Sequence, residues 1–281
     1  MTSTLLSCAE LAARDLRESL IVDCRFELAD TARGERDYRA GHIPGAVYAH
    51  LDRDLSSPNP SLGRHPLPSA AQFAHTLAGW GWQPGRPIVA YDDANGAHAA
   101  RLWWMLRVAG VHAETAVLDG GWAAWRAAGL PLSQTTGHDS APLTPMDFDP
   151  RQIVYQDELR TLLELPDTLL LDARAAPRYH GENEPIDRVG GHVPGARNRP
   201  FSNNLEHGIH KSPSRLKQEF DALLGGRSPR NVVHMCGSGV TACSNLLAME
   251  HAGLHGSRLF APSWSGWIAD PSRPIRQGVQ P

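Results

Sequence analysis

The chain of 281 residues has little of several things that would set it apart from soluble globular proteins. Cysteine is scarce: Cys8, Cys24, Cys236 and Cys243 are the only four, and no two stand at CxxC spacing. Its absence argues against a zinc module, and four thiols in so long a chain do not make a disulfide scaffold. A reducing cytoplasm is the simplest home for them. No apolar run approaches the roughly 18 residues of a membrane helix. The opening stretch, MTSTLLSCAELAARDLRESL, carries charge too early for the apolar core of a signal peptide. Charge of one sign is lacking as well: 27 basic and 30 acidic residues leave −3, with no block of either. Neither a nucleic-acid surface nor a membrane-binding patch is expected. Fourteen histidines invite a metal reading, but none stands in an HExxH arrangement, so no metal is expected.

What is present is a globular composition, 41% hydrophobic and 20% charged, with length for about two domains. The chain also repeats itself. GHIPGA at Gly41–Ala46 returns as GHVPGA at Gly191–Ala196, and IVDCR ending at Arg25 returns as LLDAR ending at Arg174. DGGWAAW ending at Trp125 is mirrored by APSWSGW ending at Trp267. Three matches in the same order at similar offsets indicate a tandem duplication. The Ser-, Thr-, Pro- and Asp-rich stretch 133–149 reads as a linker, giving domains 1–132 and 150–281.

Within each copy, short apolar runs alternate with helical patterns. In the first, SCAELAARDL opens on a capping box, Ser7 with Glu10, and reads as one amphipathic helix. LIVD, PIVAY and TAVL read as strands. SAAQFAHTLAGW repeats the capping device, and the helices of AHAARLWWMLRVAG and GWAAWRAAG end at Gly110 and Gly129. TLLLD, NVVHM and SRLF are the strands of the second copy. This is the α/β pattern of a mainly parallel sheet flanked by helices, once per domain. Functional groups in such folds sit beyond the carboxyl ends of the strands.

Cys236 stands at that place, in NVVHMCGSGVTAC. Gly237 and Gly239 let backbone amides face inward, and the N-terminus of the next helix lies behind them. A thiolate there gains hydrogen bonds and the helix dipole, which favour ionisation below the free value of about 8.5, and the same cradle suits an anionic persulfide. A buried packing cysteine is the bland alternative; the Gly-Ser-Gly run argues against it. Cys8, Cys24 and Cys243 read as structural. A Cys-x5-Arg phosphatase needs an arginine where Ala242 stands, so phosphate chemistry is a poor fit. The first copy has Asp92 or Asp93 in the corresponding place and cannot carry sulfur.

The paired GH[IV]PGA motifs, the DAR after a strand, the CGSGVTA loop and the GGW/PSW endings together resemble the tandem-domain rhodanese sulfurtransferases over nearly the whole chain. CGSGVTA is similar to the loop of the mercaptopyruvate branch; the thiosulfate-preferring loop has basic residues where Gly237 and Ser238 stand. The resemblance implies two rhodanese domains with the active site at their interface. It implies Cys236 as sulfur acceptor, and Gly237, Ser238, Gly239, Val240 and Thr241 as the loop that holds the persulfide or substrate. Ser238 would be grouped with a histidine and an aspartate from the first domain, for which His65 and Asp52 are the candidates. Arg178 would grip a substrate carboxylate bidentately. A second arginine is expected nine positions on; Arg188 is ten on. Arg174 reads as the partner of Asp172, and Trp264 and Trp267 as core.

The expected reaction is sulfur transfer from 3-mercaptopyruvate through a Cys236 persulfide to a thiol such as thioredoxin, or to cyanide, with no cofactor. Thiosulfate as donor is the alternative, and a non-catalytic sulfur carrier a less favoured one.

Overall fold

The computed structural model describes residues 4–59 and 62–278, which form two compact units. The division is not a single cut. The first unit holds the chain to Ser57, Leu67–Asp149 and His207–His210; the second holds Pro58–Pro66, Pro150–Glu206 and everything from Lys211. The stretch 133–149 runs along the first unit, where the amides of Ala141 and Asp149 donate to the carbonyls of Ala78 and Val108.

Each unit is built on five parallel strands. In the first, β1 (Leu5–Leu6), β2 (Leu20–Asp23), β3 (Val47–Tyr48), β4 (Ile88–Tyr91) and β5 (Thr115–Leu118) lie in the order β1-β5-β4-β2-β3. In the second, β6 (Ile153–Val154), β7 (Leu169–Asp172) and β8 (Arg197–Asn198) join β11 (Val232–Met235) and β12 (Arg258–Phe260) as β6-β12-β11-β7-β8. Two further two-residue strands, β9 (Leu205–Glu206) and β10 (Ile209–His210), lie outside both sheets.

The helices of the first unit are α1 (Cys8–Ala12), α2 (Arg33–Ala40), α3 (Leu51–Asp54), α4 (Ala70–Gly79), α5 (Ala99–Val108) and α6 (Gly121–Ala127). Those of the second are α7 (Gln156–Leu163), α8 (Ala176–His180), α9 (Pro213–Leu224), α10 (Ala242–His251) and α11 (Ser263–Trp267). Both expected capping boxes are present, Ser7 with Glu10 and Ser69 with Gln72. The first helix is shorter than its pattern implies. It stops after Ala12 because Asp15 starts a separate 3-10 turn by accepting the Arg17 amide.

Both faces of each sheet are covered, which is why the inner strands β2, β4, β5, β7 and β11 are largely apolar rather than alternating with polar residues. Leu170, Val233 and Met235 pack with Leu159, Tyr179 and Trp264 on one face of the second sheet. Leu169, Leu171 and Val232 pack with Phe220 of α9 and Met249 of α10 on the other. Each of these large side chains contributes about 1.5–3 kcal/mol by leaving water.

The repeated motifs turn out to be scaffold. In the first unit Arg25 pairs with Asp23 at 2.6 Å, donates to the Gly41 carbonyl at 2.7 Å and lies over the Trp122 ring. Arg174 does the same with Asp172, the Gly191 carbonyl and Trp264. His42 stacks on Tyr38 and His192 on Tyr179, and each tyrosine hydroxyl donates to the carbonyl of the last alanine of GHxPGA. Burial raises the Tyr179 hydroxyl to about 12, so it remains a donor. Asp-x-Arg, GHxPGA and the tryptophan are thus one cluster, locking the end of β2 or β7 to the helix after it. Arg174 is structural, and Trp264 and Trp267, 0% and 2% exposed, are core.

Candidate active site

β11 ends at Met235, opposite Asp172 of β7, and the chain turns through 236–241 into α10. Cys236 opens the turn and is 1% exposed. The Gly239 amide points back to its sulfur, N to Sγ 3.2 Å. Only glycine serves at 239: φ is +78°, and a Cβ would fall 2.3 Å from the Ala261 carbonyl oxygen. The turn is pinned from the side of α11. The amides of Trp264 and Ser265 donate to the carbonyls of Cys236 and Gly237 at 3.0 and 2.9 Å. The Cys236 amide donates to Ser263 Oγ at 3.1 Å, and that hydroxyl donates onward to the Phe260 carbonyl. Ser263 holds φ at +51°, a costly conformation for a residue with a Cβ. Val240 is buried, and Thr241 caps α10 by its backbone alone. Cys243, in the first turn of α10, points its thiol at the Gly239 carbonyl and packs in the core.

Basic groups converge on Gly237. A Cβ there would lie 3.1 Å from Arg64 Nη2 and 3.3 Å from Arg178 Nη2. Arg178 comes from α8 and is held by two carboxylates, Glu184 at 2.8 Å and Asp187 at 3.0 Å. Arg64 comes from the 58–66 segment and donates Nη1 to the other oxygen of Asp187 at 2.7 Å. Burial pushes the Glu184 carboxyl up, but bonds from Arg178 and from the amides of Asp187 and Ile186 outweigh it and hold it below the usual range. Burial likewise opposes charge on Arg174, yet Asp172, Glu184 and finally Cys236 raise its pKa overall.

Ser238, 7% exposed, is joined through Oγ to Nδ1 of the buried His65 at 2.8 Å, the donor being set by the imidazole tautomer. His65 precedes the first domain's second half in sequence, yet the segment carrying it belongs to the second unit. Asp52 lies on α3 of the first unit, half-buried. Arg188 is exposed and turned to the Ile268 carbonyl at 2.9 Å; the position nine after Arg178 is Asp187.

Three site groups escaped the sequence reading: Arg64, Asp187 and Ser263. Arg64 had one signal, its place immediately before His65. Ser263 had another, its alignment with Gly121 of the first copy, where φ is +54°.

The corresponding turn of the first unit follows β4 and contains Asp92, 1% exposed. Its carboxylate accepts four amides, from Ala94 and Gly96 on one oxygen and His98 and Ala99 on the other, each at 2.8 Å. The Trp122 amide donates to the Asp92 carbonyl as Trp264 does to Cys236, which makes Asp92 rather than Asp93 the counterpart of the cysteine. Asp93 binds Arg33.

Elsewhere in the second unit a surface cavity of about 480 Å³, lined by Asp157, Arg160, Trp267 and Arg273, holds no thiol. Among the described residues no group of three or more His, Cys, Asp and Glu side chains could hold a metal ion, and no helix is long and apolar enough to cross a membrane.

The family model described as rhodanese-like domain matches residues 7–128 and 155–270. A Pseudomonas aeruginosa protein named probable 3-mercaptopyruvate sulfurtransferase is 48% identical over 99% of both chains. A Cricetulus griseus thiosulfate sulfurtransferase is 31% identical, over 92% of this chain and 88% of its own. Among solved structures, Escherichia coli SseA, described as showing the rhodanese fold of 3-mercaptopyruvate sulfotransferases, superposes with a TM-score of 0.81. It is 30% identical and covers 94% of this chain and all of its own.

Proposed function

The chain belongs to the rhodanese family, with two copies of its domain, and on that premise we propose that it is a sulfurtransferase taking sulfur from 3-mercaptopyruvate onto Cys236. The observation that carries this is the Cys236 turn: a thiol at a strand end, a backbone amide aimed at its sulfur, and a guanidinium pair beside the next residue, Gly237.

In the proposed cycle the Cys236 thiolate attacks the donor's sulfur. An S–S bond forms, the C–S bond breaks, and the electron pair leaves with pyruvate as its enolate. The proton of the donor thiol ends on the enolate carbon, and Cys236 carries an anionic persulfide. Arg178 orients the carboxylate, and the Gly239 amide stabilises charge on sulfur. Ser238 and His65 form the proton path, with Asp52 as its proposed further member. An acceptor thiolate, as of thioredoxin, or cyanide then takes the outer sulfur and Cys236 leaves as thiolate.

Thiosulfate as donor is the second reading, and the guanidiniums of Arg64 and Arg178 favour it, since a dianion needs positive charge. The pairing of both with Glu184 and Asp187 weakens that support, because a carboxylate needs a donor fork more than net charge. Intact mass after incubation with each donor tests the scheme. One added sulfur atom is expected on the parent protein and none on Cys236→Ser; sulfur on the serine variant would refute it. The ratio of kcat/KM for the two donors then chooses between them.

A further inference from the structure

Both guanidiniums that face Gly237 are already engaged by buried acids. Asp187 bridges them, one oxygen to Arg64 and the other to Arg178, and its side chain is 5% exposed. Glu184, equally buried, takes the remaining edge of Arg178. Two positive charges thus meet two negative ones in a place that water screens poorly. A methyl group at position 237 would lie 3.1 Å from Arg64 Nη2 and 3.3 Å from Arg178 Nη2, so a side chain there would have to push both guanidiniums aside. With glycine at that position, the charge of this corner is set by the two arginines and the two acids. Arg64 Nε is buried with no hydrogen-bond partner.

We propose that Asp187 is the residue that sets the charge of the donor this site accepts. By bridging Arg64 and Arg178 it keeps the corner beside Gly237 near neutral. The site then takes a monoanionic, carboxylate-bearing thiol through the geometry of its arginine forks and discriminates against a dianion such as thiosulfate. Asp187 acts through the two arginines and is a positioning residue. The proposal rests on the sulfurtransferase reading.

The test uses the full-length protein with cyanide as acceptor and each donor in turn, at low and high ionic strength. Asp187→Asn keeps the shape and removes one negative charge. It should raise the thiosulfate to mercaptopyruvate ratio of kcat/KM by about tenfold, mainly through KM for thiosulfate, and steepen the salt dependence for that donor. Asp187→Glu, which keeps the charge, should stay within about twofold of the parent ratio. Arg64→Gln should move the ratio the other way by about fivefold, and serves alone if the asparagine variant does not fold. A ratio unchanged in both Asp187→Asn and Arg64→Gln, or shifted equally by Asp187→Glu, overturns the proposal. If instead the parent protein takes sulfur from neither donor, the sulfurtransferase reading has failed, and the proposal falls with it.

Discussion

After β4 the chain turns around Asp92; after β11 it turns around Cys236. The two turns share a strand on one side, a helix on the other, and a tryptophan amide on the first carbonyl. They differ in what the amides of the turn meet. In the first unit a carboxylate takes four N–H groups at 2.8 Å and is sealed inside. In the second a thiol receives the Gly239 amide. The neighbour also differs: Asp93 is tied to Arg33, whereas Gly237 leaves room for Arg64 and Arg178. A loop of inward amides is a receptor for negative charge. Filled by its own side chain it becomes a structural plug; filled by a sulfur nucleophile it can serve chemistry.

The comparison breaks most completely if the plug is copied into the second turn. Cys236→Asp should abolish sulfur transfer, by at least about a thousandfold, while circular dichroism stays that of the parent. Residual transfer within tenfold of the parent would place the nucleophile elsewhere. The reverse operation tests the plug. Asp92→Ala orphans four amides, those of Gly96 and Ala99 buried and those of Ala94 and His98 partly so, and should lower the stability of the first unit by roughly 3 kcal/mol or more, read from hydrogen exchange of β4 and α5. An effect below about 1 kcal/mol would mean that the carboxylate does not hold the turn.

A third contrast lies on the strands themselves. β11 carries His234 where β4 carries Ala90; its ring is fully buried, with Nε2 3.2 Å from the Met249 sulfur and Nδ1 without a partner. Burial lowers its pKa to about 3 from an ordinary 6.5. Below pH 6.5 the unfolded chain gains a proton there that the native one refuses. The stability of the second unit should then fall by several kcal/mol as pH drops from about 6.5 toward 3. His234→Leu should remove this part of the acid slope, and an unchanged slope would count against the burial argument. The smallest effect concerns Cys24, whose counterpart in the second copy is Ala173. Cys24→Ala should leave sulfur transfer at the parent rate and cost about 1 kcal/mol on thermal unfolding. A loss of activity would give the first unit a chemical part.

Much of this was legible early. The six strands read as apolar runs (β2, β4, β5, β7, β11 and β12), both capping boxes and the duplication are written in neighbouring residues or in repeats, and they hold; the two-residue strands β1, β3, β6 and β8 are too short to give such a run. The first helix did not hold to its pattern, because Asp15 offers a nearer cap to the next turn than continuation offers to α1. Cys236 was legible as the candidate nucleophile because a strand, a cysteine and two glycines stand side by side. Arg188 was placed by counting along the chain, and a count does not fix where a side chain turns; its guanidinium goes to Ile268.

The sequence by itself determined two α/β copies and the chemical asymmetry between them, since periodicity, glycine placement and residue identity are local properties of a chain. The tertiary structure decided which side chains meet at the 236–241 turn. Ser238 and His65 are 173 positions apart, and Arg64 and Asp187 are 123 apart. Electrostatic attraction and hydrogen bonding act over a few ångströms of space, and no spacing rule along the backbone encodes distances of that kind.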